Sequence, residues 1–155
     1  MISPLPSKVE SYQITHTPKE VSDRLAYVTT DKLLLQNQEV DHFLFTGWVK
    51  SDHFRISLKI KRPNSFLPIA KGLIESTSEG CIVLVRYELF PSTKMFLTFW
   101  CMFALLVGMY VTFQYKQWIY AASTFLLLVV ILWVAWSNFQ IQLTETRDAL
   151  TKVLS

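Results

Sequence analysis

Residues 95–115, MFLTFWCMFALLVGMYVTFQY, and 118–139, WIYAASTFLLLVVILWVAWSNF, contain no Asp, Glu, Lys, Arg or His, and only Lys116 and Gln117 separate them. At 1.5 Å rise per residue, a run of about twenty residues matches a hydrocarbon core of ~30 Å. Soluble helices of this length show a polar face, and a wholly buried pair would need far more surrounding chain than 155 residues supply. The stretch predicts a transmembrane helical hairpin with almost no loop.

Aromatic rings crowd the turn (Tyr110, Phe113, Tyr115, Trp118, Tyr120) and the opposite ends (Phe96, Phe99, Trp100, Trp133, Trp136, Phe139), as rings seated at two membrane interfaces do. The turn carries one cation, Lys116, whereas Arg86 and Lys94 precede the first span and Arg147 and Lys152 follow the second. This bias puts both termini in the cytoplasm. Cys101, Ala104, Gly108 and Thr112 form a small-residue stripe at helical spacing, suited to close helix packing against the second span or against a partner. Ion paths, proton relays and voltage sensors need intramembrane charge, and haem needs an axial ligand such as His, so neither transport nor a cofactor is implied.

Upstream, Thr17-Pro18-Lys19-Glu20 combines an N-cap Thr, Pro at the first helical position and Glu three residues on, which predicts a helix from Pro18 to about Thr30. Val21, Leu25 and Val28 share one face of it, and Lys19, Asp23 and Arg24 point away. Ser11 to Thr15 is a candidate edge strand. From Phe43 the period becomes two: Phe43 to Val49, His53 to Arg62, Phe66 to Glu75 and Cys81 to Phe90 read as strands, joined by turn-forming segments at 50–52, 62–65 and 77–80. Pro91 ends the last strand, and Ser92 or Thr93 is placed to cap the first membrane helix. Leu143, Leu150 and Leu154, with Asp148 four residues before Lys152, predict that the second span continues as an amphipathic helix. The predicted class is therefore an α+β membrane protein. It has an antiparallel β-meander with one packed helix over 1–92, a two-helix hairpin over 93–140 and a cytoplasmic amphipathic tail over 141–155.

Composition narrows the function. A net charge of +3 is too small and dispersed for nucleic acid, which requires clustered cations. Cys81 and Cys101 fall in a strand and a span and make no disulfide or zinc framework. Residues 1–9 lack the basic flank and apolar run of a secretory signal. With four glycines, three scattered histidines (His16, His42, His53) and no HExxH, CxxC or GxSxG, nothing reads as a catalytic or metal-binding constellation. Asp52 and His53 adjoin in a turn, where solvated residues are the ordinary reading. Between Lys50 and Lys71 the cations Lys50, Arg55, Lys59, Lys61, Arg62 and Lys71 face a single acid, Asp52. Near an anionic leaflet each adds about 1 kcal/mol of attraction. The same run also fits a solvated strand face that discourages edge pairing. Arg55, Lys59, Lys61, Arg62 and Lys71 are the candidate contacts for lipid or an acidic partner.

Phe45-Thr46-Gly47-Trp48-Val49, Phe54-Arg55-Ile56 and Asn64-Ser65-Phe66-Leu67-Pro68 with Gly72 resemble the pattern F-x-G-x-V, F-x-I, R-N-S-F-L-P and Gly. That pattern marks a widespread bacterial family of small two-helix membrane proteins of uncharacterised function. The likeness runs from about Val21 through the second span. Pro63 stands where the pattern has Arg, with Arg62 displaced by one. The resemblance implies the architecture and no activity. In the residues themselves, Asn64 and Ser65 shape a turn, Pro68 suggests an edge or bulge, and Gly72 permits close packing.

These readings converge on a non-enzymatic accessory or assembly subunit of a larger membrane complex, contacting membrane lipids and other membrane-protein subunits, with no cofactor. The alternative is a membrane-tethered lipid or small-ligand binding module. The expected location is a bacterial inner membrane or an internal energy-converting membrane such as the thylakoid.

Overall fold

The computed structural model describes residues 6–30, 43–60 and 64–154. In chain order the elements are β1 (Ser7–Ile14), α1 (Pro18–Tyr27), β2 (Thr29–Thr30), β3 (Phe45–Val49), β4 (His53–Leu58), β5 (Pro68–Thr77), β6 (Gly80–Leu89), α2 (Pro91–Tyr115) and α3 (Trp118–Leu154). The class is α+β: the described residues form a six-stranded mixed sheet in the order β1-β6-β5-β4-β3-β2, with three helices.

The meander expected from the alternating pattern is present as β3 to β6, each pair antiparallel. The sheet is nonetheless not a simple meander. The first strand is longer than expected and pairs antiparallel with β6, and β2 adds a short parallel edge beside β3. That parallel pair explains why α1 ends at Tyr27 rather than Thr30. Val28, Thr29 and Thr30 are β-branched and turn into strand, with the Val28 carbonyl accepting from the Leu44 and Phe45 amides. At its start α1 carries the capping box: the Glu20 amide donates to Thr17 Oγ1 at 3.3 Å, and the Thr17 amide to Glu20 Oε2 at 3.1 Å. The strand expected from Phe66 starts at Pro68, because Asn64 Oδ1 accepts the Phe66 amide and holds the preceding residues in a turn.

One face of the sheet is covered. Phe45, Phe54, Ile56, Ala70, Ile74, Cys81, Val83, Val85, Tyr87 and Leu89 pack there against Val21 and Leu25 of α1 and Phe139, Leu143, Leu150 and Leu154 of α3. Fully burying such a side chain contributes about 1.5–3 kcal/mol. The apolar stripe of the C-terminal segment thus rests on this chain's own sheet. Thr146, fully buried in the same stripe, donates its hydroxyl to the Gln142 carbonyl at 2.8 Å. The helix has no break: the second apolar run and the amphipathic tail are one rod of 37 residues.

The first apolar helix begins at Pro91 with Phe90 as its cap residue and no side-chain cap. Pro91 at the first helical position puts Thr93 inside the helix, too late to cap it. Its hydroxyl instead donates to the Ser65 carbonyl at 2.6 Å, tying the 64–67 turn to α2. The turn between the helices uses Lys116 in the left-handed region, with φ of 52°. Both helices are long and apolar enough to cross a membrane, and their apolar windows are only 11% and 6% buried. They are not core helices.

Candidate interaction surface

Among the described residues, no helix lies over the middle of the sheet's other face. Alternation sends Tyr87, Val85, Val83 and Cys81 of β6 into the core, so Glu88, Arg86, Leu84 and Ile82 look out. The strand register then sets Trp48 opposite Arg55, Arg55 opposite Lys71, Lys71 opposite Arg86 and Arg86 opposite Val9. Three cations therefore stand side by side on adjacent strands, flanked by a half-exposed indole and by Val9. The neighbouring row sets His53 opposite Leu73 and Leu73 opposite Leu84, both leucines being exposed. Like charges directly opposite destabilise a sheet.

One carboxylate offsets part of that repulsion. Glu88 lies 2.8 Å from Lys94 Nζ, 3.4 Å from Lys71 Nζ and 4.0 Å from Arg86. The hydrogen bond from Lys94, helped by the Lys71 charge, holds the Glu88 carboxyl below its ordinary value although partial burial opposes this. Lys94 belongs to α2, so Glu88 also fastens the sheet to the first apolar helix. Arg55 makes no ion pair among the described residues.

At the β3–β4 hairpin, His53 Nδ1 is 2.6 Å from Asp52 Oδ1, and that hydrogen bond lowers the exposed Asp52 carboxyl. The Trp48 ring meets the His53 ring edge-on at 5.3 Å, and Lys50 Nζ sits 5.4 Å from its centroid. The Asp52 carbonyl accepts the Ile74 amide at 2.7 Å, so the turn is pinned to β5. His16 faces Glu20 at 3.6 Å on the start of α1, far in the chain from His53, and His42 lies outside the described residues. Among the described residues no three His, Cys, Asp or Glu side chains gather around a common point.

Of the basic run, the fold brings Arg55 and Lys71 into one row and sets Lys59 apart, beside the start of α2. Lys61 and Arg62 lie outside the described residues. Arg86 and Trp48, which complete the row, were not among the expected contacts. The alternation of β6 together with the β5–β6 turn at Thr77–Gly80 carries the signal for Arg86. In the turn motif, Asn64 and Ser65 do local structural work, Phe66 packs partly buried against the core and Pro68 opens β5. Gly72 faces Phe54, and a Cβ there would come within 2.0 Å of the ring.

The small-residue stripe is turned inward, toward α3. Gly108 is buried, Cys101, Ala104 and Thr112 are half-buried among exposed neighbours, and a Cβ on Gly108 would sit 2.4 Å from Thr124. Thr112 spends its hydroxyl on the Gly108 carbonyl at 2.7 Å. The outer surfaces of both helices remain lined by large exposed residues such as Phe96, Phe113, Trp118 and Phe125.

The sequence matches no family model and no curated protein. Among solved structures, protein MLL2253 from Mesorhizobium loti is similar at 11% identity with a TM-score of 0.36, over 93% of this chain and 98% of that one. A likeness at that level bears on neither mechanism nor function.

Proposed function

We propose that this chain is a two-span membrane-anchored, non-enzymatic accessory or assembly subunit, with both termini cytoplasmic, that docks an acidic partner subunit on its open sheet face. Support for the anchor comes from exposure: in water α2 and α3 would present a continuous apolar surface far beyond what soluble monomers carry. Support for the orientation comes from Arg86, Lys94, Arg147 and Lys152 flanking the open end of the hairpin against Lys116 alone at its turn.

The observation that carries the docking role is the row Arg55, Lys71, Arg86. A sheet that sets three cations in direct register, one of them without an ion pair among the described residues, holds a local cost that an acidic partner relieves. Trp48, Leu73 and Leu84 beside it supply the apolar contact area that charge pairs alone lack.

Native purification of the tagged chain in mild detergent, with mass spectrometry of what accompanies it, tests this. A stoichiometric partner that is lost in a Lys71→Glu, Arg86→Glu variant supports the reading. Recovery alone, or as a small homo-oligomer, overturns it.

A further inference from the structure

Among the described residues, the sheet ends on the two-residue β2 at one side and on β1 at the other, and no strand pairs with the outer edge of β1. β1 follows β6 in unbroken register over all eight of its residues, Ser7 to Ile14, with neither a bulge nor a proline. An edge strand presents a row of unpaired amide and carbonyl groups, which bulges, prolines, charge or a very short strand ordinarily blunt. The charges of β1 are Lys8 and Glu10, and they offset each other: Lys8 Nζ lies 2.8 Å from Glu10, which Arg147 of α3 also holds at 3.3 Å.

Beside this edge runs a groove of about 430 Å³, lined by Tyr12, Ile14 and His16 on the strand side and by Thr151 and Leu154 of α3, among others. On the open face Val9, Ser11 and Gln13 are exposed, and Val9 stands opposite Arg86 at the end of the cationic row. The edge is therefore continuous with the docking surface.

We propose that β1 accepts an extended segment of the acidic partner as a further strand. Main-chain hydrogen bonds give such an addition its affinity, and alternate side chains give it specificity. Apolar side chains of the segment enter the groove beside Ile14 and Leu154, and acidic ones emerge on the open face next to Val9. With strands ~4.8 Å apart, Arg86 is then ~10 Å away across the sheet, a gap that an Arg and a Glu side chain close together. The acidic pattern rests on the docking reading above; the strand addition rests on the edge itself.

A second copy of this chain fits the edge poorly. Antiparallel pairing of two β1 strands turns one copy about an axis normal to the sheet. Phe139 to Leu154 lay α3 along the covered face, so that rotation reverses the helix. On the two-span reading, two such hairpins could not share one membrane.

The full-length chain in lipid nanodiscs is titrated with a synthetic peptide as long as β1 in which valine alternates with glutamate, and amide hydrogen exchange is followed by NMR. Alternate amides of β1 should slow by at least about tenfold, and those of β3 and β4 should not change. N-methylation of the valine amides and of the glutamate amides, in two separate peptides, should abolish protection in one case and spare it in the other. A valine–lysine peptide should bind at least about tenfold more weakly, and Arg86→Gln should narrow that preference. No protection in β1, or equal loss with both methylated peptides, overturns the strand addition; equal binding of the lysine peptide overturns the acidic pattern. Protection that rises with chain concentration in the absence of peptide assigns the edge to a second copy and overturns the proposal. A co-purifying partner with no peptide protection of β1 sinks this inference alone, whereas peptide protection in a chain purified without a partner supports the edge and sinks the subunit reading.

Discussion

The hydroxyl of Tyr87, on a fully buried side chain, lies 3.0 Å from the hydroxyl of Tyr12. Tyr12 in turn donates to Glu10 Oε2 at 2.7 Å, which leaves Tyr87 as the donor between the rings. Glu10 is held by Lys8 at 2.8 Å and by Arg147 of α3 at 3.3 Å. Burial pushes the Tyr87 phenol far up, so it stays neutral and donates throughout the physiological range. The chain of bonds carries polarity from the core out to the seam between β1 and the C-terminal helix.

Tyr12→Phe removes the acceptor and strands a buried hydroxyl, which should cost about 1–3 kcal/mol. Adding Tyr87→Phe should restore part of that loss, because an unpaired buried donor is worse than none. Thermal unfolding of the two single variants and the double variant in detergent measures it. Strict additivity would show that the two hydroxyls do not depend on each other.

Acid should loosen both fastenings of the sheet. Burial is the largest influence on Glu10 and acts upward, but the Lys8 and Tyr12 hydrogen bonds and the Arg147 charge outweigh it. Its carboxyl, like that of Glu88, lies below the ordinary 4.5. Groups with depressed native values stabilise fully above their unfolded value and lose that contribution as pH falls through the native one. Melting temperature should therefore drop as pH falls below about 4.5. Glu10→Gln, Glu88→Gln should lower stability at neutral pH and flatten the acid limb. An unchanged limb would assign it to other carboxylates.

Gly108→Ala should splay the hairpin, since the added carbon meets Thr124 at 2.4 Å and both helices are packed there. The expected cost is about 1–3 kcal/mol, with Thr124→Gly recovering most of it. Unfolding in lipid nanodiscs provides the readout. Wild-type stability in Gly108→Ala would mean that the helices do not approach so closely.

Arg55→Gln should leave the isolated chain as stable or raise it by about 0.2–1 kcal/mol, since it removes one of the opposed charges facing Lys71. The same variant should weaken recovery of an acidic partner. Loss of stability without loss of partner would show that the row serves the fold rather than docking.

Local features were legible in the sequence and distant pairings were not. The Thr17–Glu20 box, the alternation of Phe54, Ile56 and Leu58, and the two apolar runs act through neighbours a few residues away, and each appears near its expected place. The partner of β1 was hidden because Tyr12 and Tyr87 are 75 positions apart, and Ser7 to Glu10 carry no apolar alternation to announce a strand. Thr93 looked like a cap by residue type, but Pro91 had already begun the helix. The cationic row escaped a search along the chain because it runs across strands: Arg55, Lys71 and Arg86 meet only once the register is known.

The unbroken run of α3 has a mechanical consequence. At 1.5 Å per residue its 37 residues make a rod of ~55 Å, with one end in the hairpin and the other built into the sheet's core. The opposite corner is joined to α2 through Phe90 alone and clamped by Glu88 and Lys94. With the Thr93–Ser65 bond beside them, these joints tie the sheet to both helices. On the two-span reading, a change of hairpin tilt, as when the bilayer thins, must swing the sheet as a lever and re-aim its cationic face.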